Sequence, residues 1–362
     1  MIEYIRNKFV KERFDLQEIL LVPVFATVLA LLIGYFFLLA TGESFANIFV
    51  AYSSLFIGSL GSLNAISETF TAATPLVFAA LGIALAFRAG LFNIGAEGQM
   101  IIGGLAAVIV GFSIDFLPIW IHLPLALSIG ALFGALYAAI AGWLKAYTGA
   151  HEVISTIMLN LIALRLLDYV LRSPIIQKEG RNDPISKSIL NSAELPQILT
   201  FIDPQLRLHG GFLLMLVAVF FIYWLLFYTT IGYEFRATGA NPNAAKYAGI
   251  KAGLTIVLVM AIAGALAGLA GANQITGVLG RASPGFSASI GFDAIAVALL
   301  GRSHPIGVLF AGLLFGALIA GGRLMQVKAG VSVDLITIIQ ALIIVFIAAP
   351  LLVKKSLPWF FK

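Results

Sequence analysis

Apolar runs of helical length recur along almost the whole chain, and no other feature constrains its fold as strongly. A helix needs roughly 20 apolar residues to cross a bilayer. Runs of that order fall at 19–40, 71–87, 94–112, 123–146, 151–171, 212–229, 254–275, 285–301, 304–321 and 334–353. Backbone N–H and C=O groups find no water in the hydrocarbon layer, so each run reads as a helix. The expected fold is an all-α polytopic membrane protein with about ten transmembrane helices, one helical domain over 1–362. With 60% hydrophobic and 11% charged residues, no stretch remains for a soluble catalytic or nucleotide-binding domain. The first run is too long for a signal-peptide core and is expected to be retained.

Charge sets the orientation. The tail 1–18 carries Arg6, Lys8, Lys11 and Arg13, with Ile2, Ile5, Phe9 and Phe14 at near-helical spacing. It reads either as an interfacial amphipathic helix or as a charged tail. The segment 41–67 holds Glu43 and neither Lys nor Arg, which puts the N-terminus in the cytoplasm. An even number of spans returns the C-terminus, with Lys354, Lys355 and Lys362, to the same side, together with Arg88, Lys145 and the loop 230–253. The loop 172–211 falls outside despite Arg172, Lys178, Arg181, Lys187 and Arg207; its length and its acidic residues weaken that exception. Although the net charge is +5, the basic residues are scattered among helix ends, so no nucleic-acid partner is expected. The run 285–301 lies between Ser283-Pro284-Gly285 and a Gly301-to-Pro305 corner and is expected to be broken or only partly spanning.

An internal repeat is visible. LFGAL occurs at 132–136 and 314–318, and an acidic residue opens the following apolar run in each case, Glu152 and Asp334. Upstream, Ile94-Gly95-Ala96-Glu97 answers Ile290-Gly291-Phe292-Asp293. The copies lie an odd number of spans apart, so they read as two inverted repeats, a common transporter design. Chance matching among abundant Ala, Leu and Gly is the competing explanation. The pairs Gly130 and Gly134, Gly264 and Gly268, and Gly312 and Gly316 predict close helix packing.

Absences narrow the function. No G-x-x-x-x-G-K-[ST] phosphate loop occurs, so any ATP energy must come from another chain. His151-Glu152-Val153-Ile154-Ser155 opens like a zinc motif and ends in Ser, the chain has no cysteine, and its four histidines are dispersed. No metal site, no catalytic residue and no cofactor bound by this chain is expected.

The polar block 229–253 interrupts two apolar runs. Asn241 is a good N-cap, Pro242 suits the first turn and Gly249 is a natural C′ residue, so a short helix capped at both ends is expected across the cytoplasmic face. It is either an ordinary connection or a docking handle. Residues 236–250, RATGANPNAAKYAGI, resemble the cytoplasmic coupling loop of ABC importer permeases of the branched-chain amino acid, ribose and nucleoside group. The resemblance assigns ATPase coupling to Arg236, Gly239, Asn241, Pro242, Ala244, Ala245, Tyr247 and Gly249. Residues 90–100, GLFNIGAEGQM, resemble the signature of the nucleoside branch, where ribose permeases carry G-x-D-L-S-V-G; Phe92, Asn93 and Glu97 favour nucleosides.

The resemblance implies a type II ABC importer-like fold in a bacterial plasma membrane. It also implies a second, non-identical permease chain, an ATPase with two fused nucleotide-binding domains that uses ATP and Mg, and an extracellular substrate-binding lipoprotein. Polar groups at membrane depth either pair with each other or line water. The candidates for the substrate pathway are Asn93, Glu97, Gln99, Asn160, Asn273, Gln274 and Asp293, with Phe92 of the signature. Arg165, Asp168 and Arg172 are spaced for a local ion-pair ladder. Three alternatives remain: a permease for a simple sugar, an ion-coupled secondary transporter leaning on Glu97 or Asp293, and a scaffold without transport.

Overall fold

The computed structural model describes residues 16–332 and 334–348. The charged C-terminal tail and all of the N-terminal segment before residue 16 lie outside them. The first half of the chain forms α1 (Leu16–Ala40), α2 (Phe45–Leu60), α3 (Leu63–Arg88), α4 (Ala96–Ser113), α5 (Ile119–Trp143), α6 (Glu152–Leu171) and α7 (Gly211–Tyr228). Then follow α8 (Thr230–Ala240), α9 (Pro242–Tyr247), α10 (Ala252–Gln274), α11 (Ile290–Leu300), α12 (Pro305–Ala329) and α13 (Asp334–Ala348). Among the described residues there is no β-strand, and seven helices are long and apolar enough to cross a membrane: α3, α4, α5, α6, α7, α10 and α12. Shorter apolar helices stand at Ala26–Ala40, Phe45–Leu60 and Ile290–Leu300. The chain is a multi-pass, all-helical membrane protein.

Each expected run overlaps a helix, but α3 starts eight residues before the run at 71 and α12 ends eight residues after 321, and the part of the last run beyond 348 lies outside the described residues. The connection expected at 41–67 is different: it contains α2. Ser44 caps α2 by accepting from the Asn47 N–H (3.2 Å), and Ser62 caps α3 by accepting from the Ala65 N–H (3.1 Å). Both ends of α2 stay beside the last turns of α12: Asn47 Nδ2 donates to Ala329 O (3.0 Å), and Gly58 packs on Gly321. The longer α3 runs on to the other end of α12, where Arg88 meets Ser303.

α3 is the central helix, with every side chain from Leu76 to Ala86 buried. It packs against α4, α7, α10, α11 and α12, whereas α5, α6 and α7 each leave a broad apolar face outward. Lipid is as apolar as these faces, so close packing rather than water exclusion holds such a bundle together. The small-residue pairs supply it. A Cβ on Gly134 would stand 2.7 Å from the Gly268 Cα, and one on Gly316 would stand 2.6 Å from the Thr69 carbonyl. α5 thus meets α10, and α12 meets α3, backbone to backbone.

The segment 172–210 is a fitted cap over the opposite end from Arg88. Its backbone bonds reach α4 and the turn after α10: Leu190 N–H to Gly111 O (2.8 Å), Leu195 N–H to Thr276 O (2.9 Å). Its basic residues are largely partnered, Arg181 with Asp183, Lys187 with Glu179 and Arg207 with Glu68, which accounts for the charge that the topology rule handled poorly. The ladder expected on α6 does not form, because no ion pair joins Arg165, Asp168 and Arg172 among the described residues.

Candidate functional site

At the Arg88 end the polar block folds as two helices, one more than its sequence suggested. Thr229 breaks the chain after α7 with an extended backbone, and its Oγ1 accepts from the Gly232 N–H (3.0 Å) to start α8. α9 follows as expected. Asn241 Oδ1 accepts from the N–H groups of Asn243 (3.0 Å) and Ala244 (3.1 Å), with Pro242 in the first turn. At its far end Ile250 N–H donates to Ala245 O and Gly249 N–H to Lys246 O, both at 3.0 Å, with Gly249 at φ +86°. This is the Schellman closure that the Gly makes possible. Of α9 only Ala245 is buried; Asn243, Ala244, Lys246 and Tyr247 project outward, Tyr247 with 95% of its surface exposed.

α8 carries this projection against the bundle. Phe235 and Thr238 are buried, and Arg236 lies over the Phe227 ring at 5.5 Å, which Arg88 also overlies at 6.0 Å. His304 stacks on the same Phe227 ring (5.3 Å). Burial and the Arg88 charge push the His304 imidazole down to about 4. Gly239 touches the turn that follows α3: a Cβ there would stand 2.7 Å from the Ala89 carbonyl carbon.

From that turn the signature segment leads to α4, and its polar residues bind one another. Asn93 and Gln99 exchange two amide hydrogen bonds of 3.1 Å, and Asn93 Oδ1 also accepts from the Gly95 N–H (2.9 Å). Asn160 accepts from the Gly98 N–H (2.8 Å) and donates to Ile94 O (2.9 Å). Phe92 is 41% exposed and packs on Phe87 at 4.9 Å between ring centres. Glu97 is buried and accepts from the Gly291 N–H (2.8 Å) and from the Ser287 hydroxyl.

Gln274 and Asp293 meet instead at a cavity of about 340 Å³ between α3, α10, α11, α12 and α13. Its polar lining includes Thr71, Thr337 and Gln340, with Glu68, Arg207 and Arg323. Glu68 pairs with both arginines, at 3.6 Å to Arg207 and 3.3 Å to Arg323. Gln340 is 6% exposed, and its Nε2 has no hydrogen-bond partner among the described residues. Pro75 also lines the cavity and offers no N–H to the carbonyl of Thr71, four residues earlier and on the same wall. The cavity therefore presents two amides, two hydroxyls and the Asp293 carboxylate, beside a Glu68 carboxylate whose charge the Arg207 and Arg323 guanidinium groups share, among apolar side chains. That mixture suits a neutral, hydrogen-bonding solute of modest size.

Val278, in the wide π-helical turn Ile275–Leu279, also borders a second cavity of about 520 Å³. It lies under the 172–210 cap, lined by Asn191, Glu194, Gln197 and Thr200. Behind the turn sits a buried pair, Asn273 and His209, both packed on Gly211. Among the described residues the Asn273 amide and His209 Nε2 make no hydrogen bond, while His209 Nδ1 accepts from the Gly211 N–H (3.2 Å). Burial, reinforced by the Arg207 charge, pushes His209 down to about 4. Thr71, Gln340 and the Glu68 ion pairs were not singled out from the sequence; the proline in a helix at 75 was the one local signal pointing to this wall.

The chain is similar to known proteins over nearly its whole length. It is 40% identical over 332 residues to the guanosine ABC transporter permease protein NupP of Bacillus subtilis, covering 91% of this chain and 93% of the relative. To the nucleoside ABC transporter permease protein NupB of Lactococcus lactis it is 36% identical over 342 residues, covering 93% of each. To the glucose ABC transporter permease protein TsgB13 of Haloferax volcanii it is 35% identical over 331 residues, covering 90% of this chain and 86% of the relative. The Bacillus and Lactococcus strains each also hold a second similar permease of the same description, so such relatives occur in pairs. No solved structure matches the chain. The family described as the permease component of the branched-chain amino acid transport system matches residues 65–348, and this chain belongs to that family.

Proposed function

We propose that the chain is one of two transmembrane permease subunits of an ABC importer for nucleosides. It forms half of the translocation pathway, and a separate subunit binds ATP and Mg and hydrolyses the ATP. The observation that carries this reading is α9, a six-residue helix capped at both ends, with one buried side chain, seated through α8 on the backbone of the bundle. So short a helix is marginal by itself, and its exposed Ala244, Lys246 and Tyr247 offer a surface for a partner. The resemblance of 236–250 to a coupling loop makes that partner an ABC ATPase with two nucleotide-binding domains. Nucleosides are favoured over sugars by the descriptions of NupP and NupB, and by a cavity rich in groups that match base and ribose hydrogen bonds.

The remaining parts follow the same reading. A related second permease chain completes the pore, and an extracellular lipoprotein delivers the nucleoside. Both termini face the cytoplasm of a bacterium, and ten spans cross its plasma membrane in two inverted repeats. The repeat is supported by packing that maps onto itself when α3, α4, α5 and α6 are exchanged for α10, α11, α12 and α13. α10 packs on α5 and α4, as α3 packs on α12 and α11. Glu97 and Asp293 each lie in the first turn of their helices, and Glu152 and Asp334 open theirs. Gln274 and Asp293 are assigned to the substrate pathway, and Asn93, Gln99 and Asn160 to the scaffold beside it.

The test is reconstitution with the partner permease, the ATPase and the binding lipoprotein in proteoliposomes. ATP-dependent accumulation of labelled guanosine is expected, with hydrolysis stimulated by loaded lipoprotein. Accumulation by this chain alone, driven by a proton or sodium gradient, would overturn the reading in favour of a secondary transporter.

A further inference from the structure

We propose that Arg88 and Glu97 are positioning residues for transport: they clamp α11 at both ends, so that the helix bearing Asp293 travels as one piece with the turn on which α8 bears. This rests on the importer reading and names the internal link between its driven surface and its cavity.

α11 is held in a strained setting. Among the described residues, four other than glycine have positive φ: Ala288 (47°) and Ser289 (62°) just before α11, and Arg302 (53°) and Ser303 (52°) just after it. Left-handed backbone crowds the Cβ of any residue but glycine against its own carbonyl. Such strain persists only where the surroundings hold it. The holding groups are identifiable. At the start of α11, Ser289 gives no side-chain cap, and the Glu97 carboxylate accepts from the Gly291 N–H and the Ser287 hydroxyl instead, an anion at a helix N-terminus. At its other end Arg88 Nε donates to Ser303 O (3.0 Å), a cation at a helix C-terminus.

Both clamps belong to one short segment. Arg88 ends α3, Glu97 opens α4, and the residues between them are stiffened by the Asn93–Gln99 amide pair and by Asn160. The segment is therefore a strut lying along α11. Gly291 leaves no gap, since a Cβ there would stand 2.8 Å from the Ala96 carbonyl carbon. α8 bears on the same strut through Gly239, and on the corner after α11 through the Phe227 ring shared by Arg236, Arg88 and His304. A displacement of α8 thus reaches α11 through contacts that cannot compress, and α11 lines the cavity together with α13.

The chain has no cysteine, so introduced pairs report unambiguously. In the full complex, spin labels at Tyr233 on α8 and Leu299 on α11 give one distance, and labels at Leu299 and Val345 on α13 give another; all three positions are exposed. On ATP binding the first distance is expected to stay fixed while the second shifts by about 5 Å, the scale of one helical turn. Equal shifts in both, or none in either while guanosine is still delivered, would overturn the clamp. Loss of ATP-driven delivery in the unmodified complex would overturn the importer reading instead. In Arg88→Ala, ATP hydrolysed per guanosine delivered is expected to rise about ten-fold, and Arg88→Lys, which can still donate to Ser303 O, is expected to restore it. An unchanged ratio, or delivery and hydrolysis falling in equal proportion as from a folding defect, would overturn the proposal.

Discussion

Gly239 lies directly on the backbone of Ala89: a Cβ at 239 would stand 2.7 Å from the Ala89 carbonyl carbon and 2.8 Å from its Cα. Neither atom is the end of a flexible side chain, so the added carbon must push α8 off the bundle. Overpacking of this kind costs about 1–3 kcal/mol. Gly239→Val is expected to leave the complex assembled with its ATPase while guanosine uptake per ATP collapses. Wild-type uptake in this variant, measured in proteoliposomes, would show that the contact transmits nothing.

Gly249 makes the opposite kind of demand. No atom lies within 4 Å of a Cβ built there, and its φ of +86° is the constraint. Gly249→Ala should therefore loosen only the closure of α9, at about 1–2 kcal/mol. Asn241→Ala removes the other cap, at about 1 kcal/mol, and Asn241→Asp should restore it. Both weakened caps are expected to lower affinity for the ATPase with little effect on the melting temperature of the isolated permease, because α9 buries only Ala245. Titration of the ATPase onto immobilised permease checks this; equal affinity for all variants would mean that α9 is not the docking element.

The helices were legible because apolar length is a local property, and the α5–α10 and α3–α12 seams because small residues recur at helical spacing. α2 escaped notice because its 16 residues are broken by Asn47, Ser53, Ser54 and Ser59, and its contacts, above all with α12, make it a helix of the bundle. The capping of α9 could be read from Asn241, Pro242 and Gly249, whereas α8 could not, since Gly232 and Gly239 argue locally against a helix that packing imposes. Asn93, Gln99 and Glu97 stand out in the sequence as polar residues in an apolar chain and are buried, yet sequence carries no information on whether such a group meets a cavity or a neighbour. The cavity itself joins Thr71, Gln274, Asp293 and Gln340 from four separate helices, a set that exists only after folding.

Asp293 and Gln340 face that cavity from α11 and α13. If the solute hydrogen-bonds to them, Asp293→Asn and Gln340→Leu should each raise the apparent KM for guanosine delivery about ten-fold, since a lost hydrogen bond to a buried partner costs about 1–3 kcal/mol. Thr276→Val, in the wall of the cavity under the cap and absent from the lining of the inner one, is the control and should change KM little. Uptake measured over a range of guanosine concentrations decides. A normal KM for both cavity variants would move the pathway elsewhere.

Backbone strain around α11 offers a stability test with an unusual sign. Ala288 and Ser289 hold φ values of 47° and 62°, which glycine adopts without penalty. Replacing Ser289 by Gly should relieve roughly 1 kcal/mol of strain, partly offset by the greater freedom of the unfolded chain. The detergent-solubilised protein is thus expected to melt at the same or a slightly higher temperature. Uptake should fall, because the entry to α11 becomes pliable. A variant that melts markedly earlier would mean that the left-handed conformation is not strained.

Two histidines make the fold sensitive to acid. His209 is fully buried, its Nδ1 is committed as an acceptor to the Gly211 N–H, and Arg207 adds a repelling charge; its pKa falls to about 4. His304, between the Phe227 and Tyr223 rings and near Arg88, is likewise lowered to about 4. Unfolding would return each to an ordinary value near 6.5. A group whose folded pKa is depressed binds fewer protons in the native state, so stability rises with pH through this range. The contribution is complete above about pH 6.5 and is lost progressively as the pH drops toward 4, on the order of 3 kcal/mol for His209. Melting temperature should therefore fall steeply between pH 6.5 and about 4. In His209→Gln, whose amide can still accept from Gly211 and does not titrate, the slope over that window should flatten by the His209 share and leave that of His304. An unaltered slope would mean that His209 is solvated, or charged, in the folded protein.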